Sequence, residues 1–172
     1  MEKISAEVFR FRDGEEPCLA FIGLENNIPI MLCTCMYALP NNVIIKDCYL
    51  IKYKDNKNNL IIDVEFVNNK DEIVIIKNIT NSIKKEYRNY SLLISGLLQN
   101  NVPVEQIYDL LIQCGFKEYG IKTWYAGVLR VLIRYLPATF LEAESLRCIN
   151  CYGVLEFKLG CYMCPICGYC RD

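Results

Sequence analysis

Six cysteines crowd between Cys148 and Cys170, and the whole chain of 172 residues holds no histidine. Residues 148–172 are too few to bury a hydrophobic core of their own, so they need cross-links or a metal to fold. Eleven cysteines in all is an odd number, and a disulfide framework cannot use every thiol. Without histidine, Ser-His and Cys-His catalysis and any His-ligated metal site are excluded. The crowded stretch contains two CxxC knuckles, Cys148-Ile149-Asn150-Cys151 and Cys164-Pro165-Ile166-Cys167, with Gly168 following the second. Each knuckle aims two thiolates at a tetrahedral ion about 2.3 Å away, and the glycine relieves the tight turn. Residues 154–159 suit the strands of a hairpin, with Gly160 at its bend. The expectation is a zinc ribbon, with a structural Zn²⁺ held by Cys148, Cys151, Cys164 and Cys167. Four protein ligands close the shell and leave no position for a catalytic water.

Cys161 and Cys170 lie in further CxxC spacings with Cys164 and Cys167, so spacing leaves the choice of four ligands open. If Cys148, Cys151, Cys164 and Cys167 hold the metal, Cys161 and Cys170 are a spare pair. An exposed, partly ionised thiol there would exchange with another protein's disulfide; otherwise the two simply sit beside the site. Cys18, Cys33, Cys35, Cys48 and Cys114 stand in apolar surroundings and read as small buried core residues.

Hydrophobic periodicity divides the rest of the chain. From residue 4 to about 80 apolar residues alternate. Phe9 and Phe11 oppose Arg10 and Arg12, and Ile62, Val64 and Phe66 oppose Asp63 and Glu65. Strands at 19–23 and 28–36 join through Glu25-Asn26-Asn27, and polar stretches at 54–59 and 68–71 turn a three-strand meander that ends at 73–76. From about 84 the period becomes helical. Tyr87, Tyr90, Leu93, Ile94, Leu97 and Leu98 form one apolar stripe, broken by Asn100-Asn101. A second helix opens near Pro103 and stops at Gly115. A third, capped by Thr123, carries Trp124, Val128, Val131, Leu132 and Tyr135. The fold class is therefore α+β: a mostly antiparallel β-sheet body, a small helical bundle and a C-terminal four-cysteine zinc ribbon. The expected divisions are a β-rich body over 1–80, a helical part over 81–136, a linker over 137–147 and the ribbon over 148–172. Thr139-Phe140-Leu141-Glu142 also matches a helix capping box within that linker.

Composition narrows the partners. Hydrophobic residues make 53% and charged residues 23%, which excludes a mainly disordered chain. Nineteen basic residues balance twenty acidic ones, so a phosphate-gripping nucleic-acid binder is disfavoured. No apolar run approaches the roughly 18–20 residues that span a bilayer, and Met1-Glu2-Lys3 does not open a signal peptide. The expected location is cytoplasmic. Richness in Ile and Asn is the bias of an AT-rich genome, a phage included, which extends the expectation to a host cytoplasm or a virion.

Several short segments, in order, resemble one family. They are Ala6-Glu7-Val8-Phe9-Arg10-Phe11, Leu19-Ala20-Phe21-Ile22-Gly23-Leu24, Tyr90-Ser91-Leu92-Leu93-Ile94-Ser95-Gly96, Val102-Pro103-Val104-Glu105-Gln106-Ile107, Thr123-Trp124-Tyr125-Ala126-Gly127-Val128 and Gly160-Cys161-Tyr162-Met163-Cys164-Pro165-Ile166-Cys167-Gly168-Tyr169. The chain is similar to the C-terminal region of adenosylcobalamin-dependent ribonucleotide reductases and related bacterial large subunits. The resemblance implies terminal cysteines that pass reducing equivalents from a thioredoxin-type donor to an active-site disulfide. The family's catalytic barrel would precede residue 1, so the chain is expected not to reduce ribonucleotides alone. Where family tails often finish Cys-Gly-x-Ser-x-Cys, this one reads Cys167-Gly168-Tyr169-Cys170-Arg171-Asp172, with Cys170 at the serine place and no final cysteine. Three readings follow: a redox or regulatory partner of a reductase large subunit, a repurposed piece of a structural assembly, or a zinc-ribbon nucleic-acid binder.

Overall fold

The computed structural model describes residues 1–148, 150, 151 and 153–171, apart from the side chains of 142–144. The chain divides into two compact units, Met1–Tyr135 and Leu136–Asp172. In the first, β1 (Glu2–Asp13), β2 (Glu16–Glu25), β3 (Ile28–Met36), β4 (Ile45–Lys54), β5 (Leu60–Asn68) and β6 (Ile73–Ile76) form one sheet in the order β3-β2-β1-β4-β5-β6. Every pairing in it is antiparallel. The β2–β3 turn is made by Asn26 and Asn27, at φ 51° and 63°, in the left-handed region that asparagine tolerates and tight hairpins need. β4, β5 and β6 are the meander that the alternation predicts.

Cross-strand partners share a face, and both faces are buried over the middle of β2 and β3. On one, Val8 pairs Phe21 and Phe21 pairs Cys33. These join Ile4, Leu50, Ile62, Val64 and Phe66 in a single core. Ile79, fully buried, belongs to that core and lies against both β3 and β5, which three strands separate, so the sheet curls around it. Arg10 bridges this side by donating to the carbonyls of Pro40 and Val43 at 3.2 and 2.7 Å, which holds the long β3–β4 connection down.

Three helices follow: α1 (Lys85–Gln99), α2 (Val104–Gln113) and α3 (Trp124–Ile133). The Thr123 hydroxyl caps α3 by accepting from the Ala126 N–H. α3 lies so close to β1 that a Cβ on Gly127 would come within 2.2 Å of the Phe11 ring, and only glycine permits the approach. Trp124 stacks on Tyr87 with centroids 4.5 Å apart.

α1 buries Tyr87, Ile94 and Leu98 of the predicted stripe, but the buried face is turned away from Leu93, which is 65% exposed, and takes in Ser91 and Ser95. The reason is the edge strand β3. The Ser95 hydroxyl accepts from the Leu32 N–H and donates to the Leu32 carbonyl, both at 3.0 Å, and so satisfies backbone groups that an edge would leave unpaired.

Asp63 is also inside, although alternation places it outward; only 2% of it is exposed. The chain leaving β6 covers it. The Asn78 N–H donates to it at 2.8 Å, the Lys77 ammonium lies at 2.9 Å and the Tyr53 hydroxyl at 3.2 Å. Burial acts to raise its pKa, but the Asn78 N–H and Lys77 outweigh it and hold the carboxyl below its usual range. A lowered folded pKa makes the contribution complete above the unfolded value near 3.9 and lost as pH falls through the folded value. Asp63→Asn is therefore expected to cost about 1.5–3 kcal/mol at neutral pH. Urea unfolding of both proteins should show that difference shrinking in acid, and a gap unchanged by acid would refute the assignment.

The second unit begins with α4 (Ala138–Ser145), which occupies most of the stretch read as a linker, and continues into a small antiparallel sheet. Its strands are β7 (Glu156–Lys158), β8 (Cys161–Met163) and β9 (Cys170–Arg171). No helix among the described residues is long and apolar enough to cross a membrane.

Candidate metal centre

Each CxxC knuckle sits in a tight backbone turn. Around the first, the Cys148 N–H donates to the Gly153 carbonyl at 2.8 Å and the Leu155 N–H to the Leu146 carbonyl at 2.7 Å. Around the second, the Cys164 N–H donates to the Tyr169 carbonyl at 2.7 Å and the Gly168 N–H to the Cys164 carbonyl at 3.0 Å, with Gly168 at φ 77°. These turns bring together Cys148, Cys151, Cys164 and Cys167, whose sulfurs all lie within 4.8 Å of one another. The Cys148–Cys167 and Cys151–Cys164 sulfurs are 3.5 and 3.3 Å apart. Four thiolates bound tetrahedrally at 2.3 Å stand about 3.8 Å from each other, so the cluster is already close to the size a metal ion requires.

The surroundings point the same way. The buried residues of the ribbon core are Cys148, Leu155 and Cys164, with Tyr162 and Tyr169 partly buried against them. One leucine and two thiols are a meagre core for a folded unit. The Cys167 N–H, with that of Ile166, lowers the Cys164 thiol to about 6 against the burial that would raise it. Burial would raise Cys148 too, but the N–H groups of Cys151 and Asn150 bring it down. Cys151 and Cys167 move up: backbone N–H groups favour their thiolates, and the neighbouring sulfurs and burial outweigh this. Four sulfurs this close cannot all carry charge unaided, and a cation at their centre lifts that restriction.

Cys161 and Cys170 stand apart from the four. Their sulfurs are bonded to each other across β8 and β9, with Cα atoms 6.5 Å apart, and Cys170 is exposed. Cys18, Cys33, Cys35 and Cys48 are buried; desolvation pushes Cys18 to about 11 and the other three to about 12, which leaves them inert thiols. Cys114 departs from expectation. It is exposed, at the position that follows the end of α2, and borders the open groove between α1 and α2. Sequence reading also passed over Gly153, where a Cβ would meet Ile166 at 2.7 Å and the Cys151 and Cys164 sulfurs at 3.5 Å. The available signal was a glycine within two residues of the second cysteine of each knuckle. Of the basic residues in the ribbon, Lys158 is paired with Glu156 at 2.5 Å and Arg171 donates to the Ser145 carbonyl at 2.6 Å.

Neither a curated protein nor a solved structure matches the chain. The family model described as NrdJ homologue C-terminal domain matches residues 4–137, which takes in the six-stranded sheet and α1–α3 and stops short of the clustered cysteines. The chain therefore belongs to the NrdJ homologue C-terminal domain family and contains a ribonucleotide reductase C-terminal-like region.

Proposed function

We propose that the chain is a non-catalytic accessory module that docks on a ribonucleotide reductase large subunit and exchanges electrons with it through Cys161 and Cys170. The observation that carries this is the pairing of those two sulfurs beside, and separate from, the four-cysteine cluster, in a chain of this family. In the dithiol form, one thiolate attacks a sulfur of the partner's disulfide, forms a mixed disulfide and releases one partner thiol. The second thiol then attacks its neighbour in that bond and releases the other partner thiol. Two electrons pass to the partner, and Cys161–Cys170 is left as a disulfide. A thioredoxin-type donor reverses the change. In this reading Cys148, Cys151, Cys164 and Cys167 hold Zn²⁺, whose work is to keep the ribbon folded; a redox-silent ion suits a site next to a thiol exchanger.

The test is affinity capture of the tagged protein from its native cells, with mass spectrometry of its partners and metal analysis of the same sample. A reductase large subunit in near-equal amount, and zinc at one ion per chain, are the expected results. Virion or other assembly proteins without a reductase would replace the reading with a structural one, and iron in place of zinc would overturn the metal assignment.

A further inference from the structure

A cavity of about 150 Å³ opens beside α1, at the mouth of the curled sheet and far along the chain from the cysteine ribbon. Its walls are Met31 and Cys33 of β3, Leu60 and Ile62 of β5, and Ile83 and Leu92. Four hydroxyls in the lining are already committed. Ser95 is bound to Leu32, Ser91 donates to the Tyr87 carbonyl at 2.9 Å, Thr80 donates to Asn78 at 3.0 Å, and Thr34 accepts from the Trp124 indole N–H at 3.1 Å. What remains is a largely aliphatic pocket with the Gln99 amide and two charged residues, Lys52 and Arg88, both cations. Lys52 forms a long ion pair with the exposed Glu2, at 3.9 Å, and Arg88 donates to the neutral Asn81 at 3.4 Å.

Gly96 adds an independent sign. It stands in the interior of α1, where glycine weakens a helix, and a Cβ there would meet nothing within 4 Å. Packing does not demand a glycine at this point, yet it borders the cavity and keeps that side open.

We infer that this cavity binds a small amphipathic carboxylate, its apolar body between Met31, Leu60, Ile62 and Ile83 and its anionic head between Lys52 and Arg88. An aliphatic cavity of this size takes up a body about as large as benzene, or roughly six carbons of an alkyl chain. The two cations supply the charge-assisted contacts that select a carboxylate over an alcohol of the same length.

Methyl NMR of the full chain, titrated with hexanoate, hexanol and acetate, tests this. Hexanoate is expected to shift the methyls of Met31, Leu60, Ile62 and Ile83. Leu93 and Leu110, which border the open groove between α1 and α2 and not the cavity, should stay in place. Hexanol should bind about tenfold more weakly, the worth of one lost charge-assisted contact, and acetate not detectably. The double variant Lys52→Gln/Arg88→Gln should bring hexanoate down to the level of hexanol. Gly96→Met, which meets open space, should fold and lose binding of both. Shifts confined to the groove methyls, equal affinity for hexanoate and hexanol, or unchanged binding in a folded Gly96→Met protein would each overturn the inference.

Discussion

Cys164→Ser is expected to abolish metal binding and unfold residues 148–171, while the sheet and helices of Met1–Tyr135 remain folded. A structural zinc contributes on the order of 10–16 kcal/mol to a small domain, and the ribbon has no comparable source of stability. Among the described residues its buried side chains are Leu155 and two of the cysteines themselves. Removing one of four ligands leaves three, and a hydroxyl does not replace a thiolate for a soft ion. The first unit keeps its own cores, which contain none of these cysteines. Hydrogen exchange read by mass spectrometry separates the two. The Cys148 and Cys164 amides, both bonded across their knuckles, should lose protection in the variant and in wild type treated with chelator. Amides of β1 and β2 should keep theirs. Protected knuckle amides after chelation would show that the ribbon folds without metal.

Trp124→Ala is expected to be the most damaging single change in the first unit. Trp124 is fully buried, and its indole N–H donates to the Thr34 hydroxyl at 3.1 Å. Its ring stacks on Tyr87, whose own hydroxyl donates to Asp13 at 2.9 Å, and Asp13 also accepts the Trp124 backbone N–H at 3.1 Å. The Trp124 side chain thus ties α3 to β3 and α1, and the Asp13 carboxylate joins the end of β1 to both helices. Truncating a buried tryptophan costs about 3–5 kcal/mol. At about 4 °C per kcal/mol for a domain of this size, the melting temperature should drop by roughly 12–20 °C. Trp124→Phe, which keeps the ring face and gives up only the donor, should lose less than half as much. Calorimetry of the three proteins checks both, and equal losses for Ala and Phe would place the energy in the hydrogen bond instead of the packing.

Much of this architecture was legible because local rules and the final fold agree. Asn26-Asn27 adopts the backbone that a tight hairpin needs, Thr123 caps α3, and the meander from β4 to β6 follows its polar turns. Two polar residues go inside because the partner of each lies inside. Ser95 looks like a surface residue until the edge of β3 supplies the backbone groups that it satisfies. Asp63 obeys alternation, yet the segment from Lys77 to Asn78 returns over it and furnishes three donors with Tyr53. Periodicity places Leu93 inward because it reports a stripe and not which side of it meets the sheet. In the ribbon, spacing marked the two knuckles but allowed several sets of four ligands. The grouping appears only in three dimensions: Cys170 lies opposite Met163, its sulfur meets that of Cys161 two residues along β8, and the other four sulfurs lie together.

The seal that Ser95 places on β3 has a directional consequence. A sheet grows sideways only where a border strand offers free amide and carbonyl groups to a newcomer. At Leu32 both are taken, so lateral growth at that border is blocked at its middle. The opposite border is β6, four residues long, with Ile73 and Ile75 turned outward. A strand that adds to the six-stranded sheet, from a partner or from a second copy, therefore meets an open border at β6 and an obstructed one at β3.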